Sequence, residues 1–260
     1  MKLGQKVLLG ICTAAVSALL LTGCGSGDNA GKADAPKILK VGTNATYLPF
    51  EFKGDDGGYK GFDMDLSEAI GKELGMKVEI HNIPFDGLIN AINTGEIDMI
   101  AAGMVMTPER KERVDFIKYY DGGLGIMVDD KYAGSIKSLD DLSGKRVAVQ
   151  IGTTGADAAH KIPDAQVREF DHNSDAMLEL KQGGADAVIA AIPVMKYYLI
   201  TTKDAHAKLV EQPLNNQELG LAVKKGNKEL QDKISGALDK LKANGEYQKL
   251  YDQWFTAKSE

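Results

Sequence analysis

An α/β fold of two similar lobes is what this 260-residue sequence predicts, and three observations carry the prediction. Strand and helix signals alternate along most of the chain, the pattern of a mainly parallel sheet flanked by helices. A helix–Gly–Asp–strand unit occurs twice: LINAINTGEIDMIAA (88–102) and MLELKQGGADAVIA (177–190) match once one residue of slack is allowed before each Asp. Val41-Gly42-Thr43 and Ile151-Gly152-Thr153 repeat as well. Finally, two passages, 119–123 and 215–219, interrupt the alternation with Gly-rich or polar extended chain, as a pair of hinge strands would.

The elements follow in order. Lys2 and Lys6 precede an apolar run from Val7 to Leu21, too short for a comfortable membrane span and built like a secretory leader. Its end, Leu21-Thr22-Gly23-Cys24, resembles a bacterial lipobox, so residues 1–23 read as a lipoprotein signal and Cys24 as the lipidated first residue. With Cys12 in the leader, the fold itself has neither a disulfide nor a catalytic thiol. Residues 24–36, rich in Gly, Ala and Asp, form a flexible tether. Ile38 to Gly42 is the first strand, and Gly54 to Gly58 the tip of a hairpin. Phe62, Leu66, Ala69, Ile70 and Leu74 recur at helical spacing up to Gly75, Val78 to Ile80 is a strand, and Phe85 to Asn93 a second helix.

Ile97 to Ala101 is a short buried strand ending in the small residues Ala102 and Gly103. Thr107-Pro108 reads as an N-cap with Pro at the first helical position, which sets Arg110 in the first turn beyond a strand's carboxyl end. Farther on come a helical turn at Ser138–Leu142, a strand at Arg146–Gln150, a helix opening at Ala156, another at Ser174–Lys181, and strands at 187–190 and 220–223. An amphipathic helix (Leu230, Ile234, Ala237, Leu238, Leu241) broken at Gly245 and a terminal aromatic cluster close the chain.

Hydrophobic content of 43%, charged content of 26% and a net charge of −6 are those of a soluble globular protein and exclude a basic nucleic-acid footprint. The four histidines have no ligand-like spacing, so no metal and no cofactor are expected. Ligands collect at the carboxyl edge of open α/β sheets, and a guanidinium there offers a planar fork to a carboxylate. Arg110 therefore reads either as a carboxylate anchor or as a solvated helix start paired with Glu109 or Glu112. Gly152-Thr153-Thr154-Gly155 reads either as an anion-receiving turn or as a structural one. Tyr47 and Phe85, just past strand ends, suit pocket walls, whereas Phe50, Phe52 and the C-terminal aromatics suit the core.

The stretches VGTNATYLPFEF, GYKGFDMDLSEAIGKEL, GEIDMIAAGMVMTPERKERVDF, LSGKRVAVQIGTTG, ADAVIA and NGEYQKLYDQWF together resemble the solute-binding proteins of polar amino acid ABC transporters, from about Lys37 to Phe255. The resemblance implies a two-lobed periplasmic-binding-protein, or Venus flytrap, fold with two hinge crossovers. Lobe 1 is then residues 37–119 with 220–260, lobe 2 residues 124–214, with hinges near 119–123 and 215–219. It further implies a monomer, not an enzyme, that is lipid-anchored outside the cytoplasm and hands a polar amino acid or related small carboxylate to an ABC permease. Arg110 matches the family's α-carboxylate anchor, completed by Thr153 and Thr154. Ala102 and Gly103 match positions of backbone contact, Tyr47 and Phe85 match walls, and Gln150 falls where side-chain recognition varies.

Three positions depart from the family pattern. Ala191 stands where an acid usually pairs with the ligand's ammonium, Val105 where a hydroxyl is common, and Asn44 where some members carry Asp. An unpaired buried charge costs on the order of 3–5 kcal/mol. The ligand therefore lacks an α-ammonium, or another acid reaches the cleft, or this version of the chain binds amino acids poorly. A rival from another class, a cyclohexadienyl dehydratase-like enzyme, needs a positioned general acid that none of the matched positions supplies.

Overall fold

A computed structural model describes residues 37–256, so the leader, the lipobox ending at Cys24 and the whole tether lie outside the described residues. The chain runs β1 (Lys37–Thr43), β2 (Thr46–Tyr47), β3 (Glu51–Lys53), β4 (Tyr59–Lys60), α1 (Phe62–Leu74), β5 (Met76–Asn82), α2 (Leu88–Thr94), β6 (Met99–Ile100), α3 (Pro108–Arg113) and β7 (Val114–Asp129). It continues with β8 (Arg146–Gln150), α4 (Thr154–Ala159), β9 (Gln166–Phe170), α5 (Asn173–Lys181), β10 (Ala187–Ala191), α6 (Ile192–Thr202), β11 (Ala207–Leu209), β12 (Asn215–Lys224), α7 (Lys228–Ala243) and α8 (Glu246–Phe255).

Nine strands form one sheet in the order β5-β1-β6-β12-β7-β10-β8-β9, with β11 on β7. The expectation of a mainly parallel sheet needs correction, because the sheet is mixed. β1 pairs in parallel with β5 and β6, and β8 with β9 and β10, but every pairing made by β7 or β12 is antiparallel. These two strands are the ones that leave one lobe and return to it, so they run against the strands on either side. Residues 119–123 and 215–219 lie side by side within that ladder, from Asn215 opposite Leu124 to Leu219 opposite Tyr120. The result is a two-lobed α/β fold of the Venus flytrap kind.

Both faces of the sheet are covered, which explains the unbroken apolar runs. In β6, Met99 joins the core under α1, α7 and α8, while Ile100 joins Phe85, Leu88 and Ile92 on the opposite side. In β8, Val147 and Val149 face Ala156, Ala159 and Ile162, while Ala148 faces Met177 and Leu180. Several boundaries differ from the sequence reading, two of them near the strand ends at 101 and 150. The helix expected at Ala156 opens at Thr154, because Thr153 caps it by accepting from the Ala156 N–H at 3.2 Å. The strand expected over 97–101 narrows to Met99–Ile100.

The repeated Gly–Asp unit is a repeated hydrogen-bond device. Asp98 donates its N–H to the Lys40 carbonyl at 2.8 Å and accepts the Lys40 N–H on its carboxylate at 2.9 Å. Asp186 does the same with Arg146, at 2.8 and 3.0 Å, and adds a two-pronged ion pair with its guanidinium. Each Asp thus locks the start of its strand to a neighbouring edge. Asp186→Ala should cost about 2–4 kcal/mol and Asp98→Ala about 1–3 kcal/mol in urea unfolding, since each strands a backbone donor. Arg146 holds the Asp186 carboxyl down at about 2. Its contribution is therefore complete above the ordinary carboxylate range and fades as pH falls through about 2, where the penalty of Asp186→Ala should shrink.

Candidate functional site

All eleven residues expected at the site line one cleft: Asn44, Tyr47, Phe85, Ala102, Gly103, Val105, Arg110, Gln150, Thr153, Thr154 and Ala191. Most lie in β2 or at or just past the ends of β1, β6, β8 and β10, while Arg110 comes from α3, Thr154 from the start of α4 and Phe85 from the helical turn before α2. No helix among the described residues is long and apolar enough to cross a membrane. Nor does any group of three His, Cys, Asp or Glu among them suit a metal ion.

Arg110 is held by its helix start. Thr107 caps α3 by accepting the Arg110 N–H at 3.2 Å. The guanidinium lies 5.4 Å over the Phe85 ring, donates one Nη to the Val105 carbonyl at 2.8 Å and the other to the Gly152 carbonyl at 2.9 Å. Gly152 belongs to the strand-to-helix turn on the far side, where a φ of +73° suits glycine. Five N–H donors minus two leaves Arg110 with donors to spare. Burial lowers its pKa from the ordinary value, against the opposing pull of Asp157 and Glu109.

Several expected contact groups are already engaged. The Thr153 hydroxyl donates to the Gln150 carbonyl at 2.7 Å while capping α4, so its side chain serves the turn. The Gln150 amide donates to Asn44 Oδ1 at 2.9 Å and to the Asp171 carbonyl at 3.0 Å. Tyr47 hydroxyl accepts the Ala191 N–H at 3.2 Å, and Thr154 meets the Gln217 side chain at 3.0 Å. Gly103, with φ of +54° and the Tyr47 ring where a Cβ would sit, spends its N–H on Asp63 at 2.9 Å, leaving its carbonyl. Val105 bridges Leu219 through the backbone and presents no donor from its side chain.

Sequence reasoning missed Glu51, Asn173, Gln217 and Leu219, which also line the cleft. Glu51 matters most. It is 1% exposed, and neither of its oxygens meets a donor among the described residues; Asp63 Oδ1 lacks one as well. Asp63, entirely buried, receives Gly103 N–H and the Tyr119 hydroxyl at 2.8 Å on its other oxygen. Burial pushes the Asp63 carboxyl up to about 6, those donors opposing. Burial and the neighbouring Asp63 push Glu51 well above the ordinary range. The proton of the pair therefore resides on Glu51. No local pattern signals it: alternation with Phe50 and Phe52 inward would turn Glu51 outward, whereas Phe50 and Glu51 are both buried.

Carboxyls raised in the fold stabilise it below their unfolded values and lose that contribution as pH rises through the folded ones. Thermal unfolding without added ligand should therefore show the Glu51→Gln protein gaining on the wild type as pH climbs above the ordinary carboxylate range, with near-equality at about pH 4. A constant difference across that window would contradict the shared proton.

Comparison with known proteins follows the same geometry. The profile of the bacterial extracellular solute-binding proteins, family 3, matches residues 39–257. The chain is 35% identical to the arginine-binding extracellular protein ArtP of Bacillus subtilis, over 97% of this chain and 99% of that one. It is 31% identical to a probable histidine-binding protein of Neisseria gonorrhoeae, over 93% and 92%. Among solved structures, an ancestral arginine-binding protein bound to arginine matches with a TM-score of 0.81 at 44% identity, covering 84% of this chain and 98% of that one. An ancestral amino acid-binding protein, a precursor of cyclohexadienyl dehydratase, matches with 0.78 at 42% identity, covering 84% and 95%. All four are described as binding proteins. With family profile, fold and cleft in agreement, the chain belongs to the bacterial extracellular solute-binding proteins of family 3.

Proposed function

We propose that this protein captures an amino acid outside the cytoplasm and delivers it to an ABC importer, with Arg110 as the anchor of the ligand's α-carboxylate. The observation that carries the reading is the Arg110 guanidinium itself: half-buried, stacked on Phe85, joined to carbonyls of both lobes, and still holding unused donors. Thr154 and the turn at Gly152 supply further polar groups beside it, and Tyr47 and Phe85 supply flat walls. Arginine- and histidine-binding relatives support a polar amino acid as ligand, and arginine is the first probe to use.

The division into lobe 1 (37–119 with 220–260) and lobe 2 (124–214) belongs to the same reading, with closure about 119–123 and 215–219. The paired ladder at those residues supports it, since two adjacent strands can bend together. The lipobox-like sequence ending at Cys24 supports a lipid anchor on the membrane's outer face, and a monomeric carrier docking on its permease completes the scheme.

Calorimetric titration with arginine, glutamine, histidine and their deaminated counterparts tests this. Arg110→Ala should weaken every carboxylate ligand by at least ~100-fold, the cost of removing one side of a buried charge pair. Undiminished affinity in that variant would show the anchor to be elsewhere. Ala191→Asp should tighten amino acids while leaving the deaminated compounds no better bound. Preference of the wild type for deaminated compounds would turn the reading toward another small carboxylate, and failure to bind either group would mark a binding-impaired chain.

A further inference from the structure

We propose that Glu51 receives the ligand's α-ammonium, in the part that an acid at position 191 would otherwise play, and that binding drives a proton off the Glu51–Asp63 pair. The inference rests on the amino-acid reading above and supplies the half of the site that Ala191, Val105 and Asn44 leave without charge.

Geometry carries it. β2 and β3 pair with Tyr47 opposite Glu51, so the two side chains share one face of that small sheet. Tyr47 reaches across the cleft from that face to the Ala191 N–H. Glu51 is thus directed to the side on which Ala191 lies, and it lines the cleft together with Gly103, Val105 and Ala191. One Glu51 oxygen is joined to Asp63 through the shared proton, and the other, buried, meets no donor among the described residues, which is costly unless something occupies it. The Gly103 carbonyl, left over when its N–H turns to Asp63, is a second acceptor at the same place.

The pair is arranged for proton exchange. The charged and titratable groups facing it are Asp63 from α1, Tyr119 from β7, Tyr47 from β2, Tyr247 from α8 behind Tyr119, and Arg110 from α3 lining the same cleft. Asp65 is turned away to the Trp254 indole. Gly103 and Tyr119 keep the charge on Asp63, which holds the proton on Glu51. An arriving ammonium favours the ionised carboxyl. The Glu51 O–H bond breaks, its proton passes to solvent, and the carboxylate so formed accepts from the ammonium. No bond to the ligand is made or broken. The number of buried charges thus rises only in balanced pairs.

Titrating L-arginine into the full chain at about pH 6, in two buffers of different ionisation enthalpy, should give heats that differ by close to one proton's worth per ligand, and affinity should fall as pH drops further. Glu51→Gln should weaken L-arginine at least ~10-fold and abolish the buffer dependence. The same variant should leave argininic acid, which keeps the carboxylate and guanidinium but has a hydroxyl for the ammonium, bound as in the wild type. Asp63→Asn, whose amide can donate to an ionised Glu51, should also abolish proton release. Buffer-independent heats in the wild type, unaltered arginine affinity in Glu51→Gln, or equal loss of both probes would overturn the proposal while leaving the Arg110 reading standing. Failure of the wild type to bind any amino acid would overturn both.

Discussion

The antiparallel ladder between β7 and β12 is the constraint on which the rest of the structure depends, because the chain must leave the first lobe and come back. Sixteen residues of β7 and ten of β12 span the junction, and both contribute to the sheet on either side of it. Their direction makes the sheet mixed rather than parallel. Their register also shapes the cleft. The shift between Leu219 and Gly220 lets the 104–106 segment pair with β12, through Met106 N–H to Glu218 and Gly220 N–H to Met104. That pairing turns Leu219 and Gln217 toward the site and aims the Val105 carbonyl at Arg110.

Around this junction single hydrogen bonds cross the cleft in front of one apolar cluster, which holds Leu39, Val41 and Met99 together with Ala148, Met177 and Val188. Arg110 to Gly152, Gln150 to Asn44, Tyr47 to Ala191 and Thr154 to Gln217 each join an element of one lobe to the other or to a crossing strand. Each such bond has a net worth of about 1 kcal/mol. Their sum suits a contact that has to form and release, whereas the Phe85–Ile100 and Val147–Ile189 clusters are held by buried apolar side chains.

Charge is distributed unevenly across the cleft. A half-buried cation with spare donors stands at one wall, and a fully buried acid pair sharing a proton stands at another. Neither could be left as an isolated ion in so dry a place, and each is moderated in its own way. Arg110 leans on carbonyl oxygens and an aromatic face, whereas Glu51 stays neutral because Asp63 already holds two donors. The cleft therefore presents a cation at one wall and a neutral, ionisable acid at another.

The sequence alone was enough for local structure and for most of the site's membership. The Thr107-Pro108 cap, the hairpin at 54–58, the α1 and α2 faces and the Gly–Asp repeat are short-range or periodic features, and period and capping chemistry reveal those directly. Arg110, Tyr47 and Phe85 were legible for the same reason, as residues just past strand ends. What the tertiary structure decided was sheet direction, the occupation of Thr153, Gln150 and the Gly103 N–H by other protein groups, and above all the identity of the cleft's acid. Glu51 and Asp63 are twelve positions apart, on different elements, and their coupling exists only because α1 packs beneath the small β2–β3 sheet. A sequence shows that a carboxyl is present; whether it is charged depends on burial and on which neighbour already holds the donors, and folding alone sets both.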